Sequence, residues 1–114
     1  MRLYTGIVIR GKGRATALGY PTVNIPLEDL SVSGIYSARV KVGDVKYEAA
    51  VFADPKRKLL EAHLLDFSGE LYGKKISIEL CEKIRDSKKF GNDEALRLAI
   101  EEDIVKVRNH FKKI

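Results

Sequence analysis

Apolar and polar positions alternate with a period near two along most of the chain, and the period changes to about 3.6 near Lys89. Before that point, short runs rich in Val, Ile, Tyr and Phe are separated by Gly, Pro, Asp and Ser. The pattern predicts six strands, over residues 3–10, 22–25, 34–42, 45–52, 59–65 and 75–84. Gly43-Asp44 between the third and fourth is a two-residue hairpin signal. No helical stretch separates the strands, so a doubly wound parallel sheet is excluded and an antiparallel barrel is expected. After Lys89, Leu96, Ile100, Ile104, Val107 and Phe111 form one apolar stripe at helical spacing. Asn92 is placed to cap this helix, with Asp93 and Glu94 at the end where the helix dipole favours negative charge. The predicted fold is mainly β: a six-stranded antiparallel, Greek-key-like barrel with a long C-terminal α-helix packed outside. No repeat, linker or low-complexity segment divides residues 1–114, so one domain is expected.

Composition narrows the class. A chain of 114 residues buries roughly two-thirds of its unfolded surface, enough for a core without covalent staples. With 45% hydrophobic and 32% charged residues, it is globular rather than disordered. The single cysteine, Cys81, forms no internal disulfide and reads as a bystander on the polar phase of its strand. Residues 1–10 are too interrupted for a signal peptide, and no apolar run reaches membrane-helix length. A cytoplasmic monomer with no membrane partner is expected. The net charge of +5 favours phosphorylated or polyanionic ligands. Nucleic acid ranks last among them. The cations are interleaved with Asp and Glu, and the chain has no Trp and no aromatic RNA-binding motif.

Three segments carry candidate chemistry. The first, residues 11–19, is rich in glycine and cations, and Gly11, Lys12, Gly13 and Arg14 suit a backbone approach to phosphate. The plainer alternative is a mobile loop with solvated charges. It runs into Thr22 and Asn24, two residues apart and so on the same side of an extended segment. Their hydroxyl and amide oxygens are hard ligands suited to Mg²⁺ beside phosphate, or else Asn24 satisfies a local turn. The second is Glu61-Ala62-His63-Leu64-Leu65-Asp66-Phe67. Leu60, Ala62 and Leu64 point to the core, which turns Glu61 and His63 to the other face. Glu61 there is either a general base or part of an exposed polar face. The third is Arg85-Asp86-Ser87-Lys88-Lys89-Phe90, which either holds an anion and a flat ring or is a basic connector. His63, His110 and Cys81 lack metal-ligand spacing, so zinc is not expected.

Taken in order, these segments resemble riboflavin kinase of the eukaryotic and bacterial type. Residues 8–14 and Leu18-Gly19-Tyr20-Pro21-Thr22-Val23-Asn24 are similar to the family's Gly-rich loop and its Pro-Thr-Ala-Asn motif. Ser33-Gly34-Ile35-Tyr36 is similar to its Gly-Val/Ile-Tyr strand start. Residues 61–67, followed by Leu71-Tyr72-Gly73, are similar to its Glu-x-His-Leu-Leu-Asp-Phe and Tyr-Gly pair. Residues 84–90 are similar to its Leu-Arg-x-x-x-Lys-Phe segment.

The resemblance implies a six-stranded barrel with a C-terminal helix. It implies transfer of the ATP γ-phosphate to the riboflavin ribityl 5′-hydroxyl, giving FMN, with Mg²⁺ as cofactor. Glu61 would be the catalytic base, and Thr22 and Asn24 would bind the metal. Gly11, Lys12, Gly13, Arg14, Leu64, Asp66 and Tyr72 would bind nucleotide, and Arg85, Lys88 and Phe90 would meet the flavin. Expected partners are riboflavin, FMN, ATP and ADP. The adenylyltransferase half of the bacterial enzymes is not seen in these 114 residues, so FMN rather than FAD is the expected product. The chain departs from the pattern where Val51-Phe52-Ala53-Asp54-Pro55 replaces Asn-Ile-Gly-x-x-Pro-Thr, at Ala15 and its neighbours, and at Val23. These departures bear on nucleotide affinity and donor identity, and leave Glu61, Thr22 and Asn24 in place. The alternatives are a flavin-binding module without transferase activity and a basic single-stranded nucleic-acid-binding barrel.

Overall fold

A computed structural model describes residues 2–11 and 13–113. Its strands are β1 (Arg2–Ile7), β2 (Val23–Pro26), β3 (Gly34–Val42), β4 (Val45–Asp54), β5 (Leu59–Leu64) and β6 (Lys75–Arg85). A short helix α1 (Arg14–Ala17) follows β1, and α2 (Asp93–Lys112) follows β6. The strands form one sheet in the order β1-β6-β3-β4-β5-β2, antiparallel throughout. The ends of the sheet meet where Ile9 bridges Asn24, the Ile9 N–H donating to the Asn24 carbonyl at 2.8 Å. The result is a nearly closed barrel, filled by the inward phase of each strand: Ile25, Val40, Val51, Leu60, Ile76 and Ile78 are all fully buried.

The hairpin from β3 to β4 turns at Gly43-Asp44, with Gly43 at φ 60° as the turn requires. Two irregularities in the β3–β6 ladder skip Cys81 and Ile84, so that β6 ends by aiming Arg85 at α2. Cys81 is exposed. α2 begins at its expected cap, where Asn92 Oδ1 accepts from the Ala95 N–H at 2.8 Å. It lies against β3, β4 and β6, with Val107 fully buried beneath it.

Two expectations need correction. The first strand ends at Ile7 rather than residue 10, because the chain leaves β6 there to cross toward β2. The segment 11–19 is not an open loop: Gly13, at φ 74°, starts the single turn α1, closed by the Ala17 N–H bonding to the Gly13 carbonyl at 2.9 Å. Four residues are too few to show a hydrophobic period. Among the described residues no helix is long and apolar enough to cross a membrane.

Candidate active site

β2 and β5 are neighbours in register, with Asn24 opposite Glu61 and Val23 opposite Ala62. On the other side of β5, Phe52 of β4 also faces Glu61. Alternation sends Leu60, Ala62 and Leu64 into the core and turns Glu61 and His63 to the other face, as expected, and Asn24 shares that face through its pairing with Glu61. Thr22, just before β2, donates its hydroxyl to Glu61 Oε2 at 2.9 Å. Arg57 Nη2 donates to the other oxygen, Oε1, at 3.3 Å. Both carboxylate oxygens of Glu61 are therefore occupied, and its side chain keeps only 16% exposure.

Arg57 is held in turn by Asp54. Nε donates to Asp54 Oδ2 at 2.5 Å, and Asp54 Oδ1 accepts the backbone N–H of Lys56 at 3.1 Å and of Arg57 at 3.3 Å. Burial pushes the Asp54 carboxyl up, but the Arg57 guanidinium and these N–H donors outweigh it and hold the group below its ordinary value. The hydrogen bond to Asp54, more than the charge of Glu61, raises Arg57 above an ordinary arginine.

Asn24 is 4% exposed, and its Oδ1 has no hydrogen-bond partner among the described residues. A buried amide oxygen without a partner is costly unless a donor or cation arrives. Gly11 lies directly on this amide: a Cβ at Gly11 would sit 2.3 Å from Asn24 Nδ2, so only glycine allows the approach. Lys12 lies outside the described residues. Arg14 donates to Asp93 at the start of α2, at 3.3–3.4 Å and in the open. Tyr20 bonds Glu101 of α2 at 2.8 Å and meets the His63 ring edge-on at 5.7 Å. His63 Nδ1 donates to the Pro21 carbonyl at 2.7 Å. The segment from Gly13 to Pro21 is thereby stitched between β5 and α2.

Leu64 and Asp66 line an open cleft of about 390 Å³ that also takes in Gly19, Pro21, His63 and Arg108. Asp66, with φ 57°, is paired through both oxygens with Arg108 of α2, at 3.1 and 3.2 Å, and that guanidinium holds its carboxyl below the usual range. Tyr72 is exposed, with the Arg10 guanidinium over its ring at 4.2 Å. Arg85, Lys88 and Phe90 are brought together: the Phe90 centroid lies 5.8 Å from the Arg85 guanidinium carbon and 5.4 Å from Lys88 Nζ. Arg85 itself is anchored by two 2.8 Å bonds to Asp103, which is 4% exposed. A second depression, of about 290 Å³ beside Glu82 and His110, holds none of the sequence-derived candidates.

Sequence reading missed Arg57, Asp54, Asp103 and Arg108. One of them left a signal: Asp103 falls on the apolar stripe of α2, between Ile100 and Val107, where an acidic residue needs a partner. Asp54 and Arg57 meet three positions apart in the turn before β5, which leaves no periodic pattern, and Arg108 meets Asp66 only through the docking of α2.

A hydroxyl–carboxylate pair, a partnerless buried amide oxygen and a glycine loop on one barrel face are suited to transferring a phosphoryl group to an alcohol. The chain is 37% identical over 111 residues to a bifunctional riboflavin kinase/FMN adenylyltransferase of Mycoplasma pneumoniae, covering 93% of this chain and 41% of that protein. It thus spans about two-fifths of that relative's length. Its fold matches a crystal structure of riboflavin kinase from Trypanosoma brucei with TM-score 0.70 and 23% identity, over 97% of this chain and 80% of that one. It also matches a structure described as a macrolide-efflux protein from Streptococcus pneumoniae, with TM-score 0.82 and 27% identity, over 94% of this chain and 38% of that one. A sequence model of one family, described as "Flavokinase: Riboflavin kinase", matches residues 2–111, nearly the whole chain. With barrel, helix and matched residues in accord, the chain belongs to the riboflavin kinase family.

Proposed function

We propose that this chain transfers the γ-phosphate of ATP to the ribityl 5′-hydroxyl of riboflavin, giving FMN and ADP. The observation that carries the reading is the Thr22–Glu61 hydrogen bond beside the partnerless Asn24 oxygen beneath Gly11. The 5′-oxygen attacks the γ-phosphorus, the bond to the β,γ-bridging oxygen breaks, and Glu61 takes the hydroxyl proton. Glu61 stands on β5, which is paired with β2 on one side and β4 on the other, so its position relative to the incoming hydroxyl is set before substrate arrives.

The residues present fit a divalent cation. The buried Asn24 Oδ1 lacks a partner, and the Thr22 hydroxyl on the same side is a second hard oxygen donor. Mg²⁺ held there with the ATP phosphates would neutralise charge on the transferring group. Gly11 lets the backbone close over the phosphates without a side chain in the way. Leu64 and Asp66 supply a cleft wall for the nucleotide, and the exposed Tyr72 ring a further surface. Arg85, Lys88 and Phe90 supply two cations and a ring face for the flavin.

The test is to incubate the purified chain with riboflavin, Mg²⁺ and ATP, with CTP and GTP in parallel, and to separate flavins by chromatography. FMN formation is the expected result. Riboflavin binding without FMN from any donor would instead make the chain a flavin-binding module.

A further inference from the structure

Resting on the kinase reading above, we infer that Arg57 is a positioning residue that fixes the Glu61 carboxylate for proton transfer, with Asp54 fixing Arg57. The residues involved begin in the segment where the chain departs from its family's pattern. β4 ends at Asp54, and Pro55, Lys56, Arg57 and Lys58 turn the chain into β5, with Lys58 at φ 55°. This turn brings Arg57 back onto the strand that carries Glu61.

The guanidinium acts as a fork. Nε reaches Asp54 Oδ2 and Nη2 reaches Glu61 Oε1, so one planar group ties the end of β4 to the middle of β5. Its side chain is 30% exposed, beside partners at 12% and 16%, where such bonds are stronger than at a free surface. The Phe52 ring, 5.7 Å from the guanidinium carbon, adds an apolar wall. A glutamate head rotates freely unless one oxygen is tied. Here Oε1 is tied to Arg57, which leaves Oε2, the oxygen that accepts from Thr22, as the one to take the proton. Lysine has a single point charge and cannot make both contacts in one plane.

The experiment compares wild type, Arg57→Met, Arg57→Lys, Glu61→Gln and the Arg57→Met/Glu61→Gln double variant. It reads kcat and both KM values for FMN formation, riboflavin binding by flavin fluorescence, and Tm. Arg57→Met is expected to lower kcat by about 10- to 100-fold with little change in either KM, as misorientation of a reacting group does. Arg57→Lys is expected to recover part of that loss. In the Glu61→Gln background, Arg57→Met is expected to cost almost nothing more, because its effect passes through Glu61. Full kcat in Arg57→Met, or fully additive losses in the double variant, would overturn the inference. So would a loss that follows Tm and is not rescued by lysine, since that marks a clamp on the turn alone. If Arg57→Met does not fold, Arg57→Lys decides: full kcat overturns the inference, and a partial loss at unchanged riboflavin binding supports it. A folded wild type that forms no FMN would remove the kinase reading itself, and this inference with it.

Discussion

The Thr22 hydroxyl donates to Glu61 Oε2 at 2.9 Å, although 39 residues separate the two in the chain. The contact exists because β2 and β5 are paired with Asn24 opposite Glu61, which puts the residue two before Asn24 on the same face. Thr22, Asn24 and Glu61 thus share one surface of the barrel.

The close approach of Gly11 to Asn24 makes one substitution diagnostic. In Gly11→Ala the new carbon would lie 2.3 Å from Asn24 Nδ2 and 2.8 Å from its Cγ, so either the loop or the amide has to move. Mg-ADP affinity, measured by calorimetry, is expected to fall by about tenfold or more, which is about 1.4 kcal/mol. Riboflavin affinity is expected to hold. Equal loss of both would place the Gly11 contact in the general stability of the barrel rather than at the nucleotide.

Arg85 and Asp103 form the most buried ion pair described, at 22% and 6% side-chain exposure. Asp103→Asn removes one charge and leaves the guanidinium partly buried without its partner. Breaking such a pair costs about 3 kcal/mol. In a domain of this size Tm is expected to fall by roughly 10 °C. Riboflavin is expected to bind more weakly, because Arg85, the residue proposed to meet it, has lost its anchor. A stability change below about 1 kcal/mol, the range of surface pairs, would contradict this.

Asp54 makes stability depend on acid. Its folded carboxyl sits below the ordinary value, so its contribution is complete above the unfolded pKa and is lost as pH falls through the folded one. Urea unfolding at neutral pH should therefore find Asp54→Asn less stable than wild type, and the gap should narrow below about pH 4. A gap that is constant or widens with acid would show that Asp54 is not held as a charged partner of Arg57.

Much of this architecture was legible in the residues, and the reasons are local. Val40 and Ile78 reveal their strands because alternation is a property of neighbours in sequence. Gly43 and Asn92 reveal a turn and a cap because their backbone requirements are local as well. Glu61 was legible as outward-facing for the same reason. α1 was not, since a single turn opened by Gly13 leaves no period to read. Arg57 was not, because it reaches Glu61, four positions on, through the shape of the β4–β5 turn rather than along a helix. Arg14 read as a phosphate-facing cation, but its side chain reaches Asp93, 79 residues away, which no local pattern reveals. Asp66 likewise meets Arg108 only because α2, packed on β3, β4 and β6, passes the turn that follows β5.

The central claim is that Glu61 accepts the proton of the riboflavin hydroxyl during transfer. Glu61→Gln keeps the side chain's shape and its place opposite Asn24, and removes its capacity to take a proton. The direct measurement is single-turnover FMN formation by this variant, alongside riboflavin binding followed by flavin fluorescence. The expected result is a rate lower by about 10²- to 10⁴-fold with riboflavin affinity retained. FMN formed at the wild-type rate by Glu61→Gln would contradict the account, and the proton acceptor would then have to be a different group on the barrel.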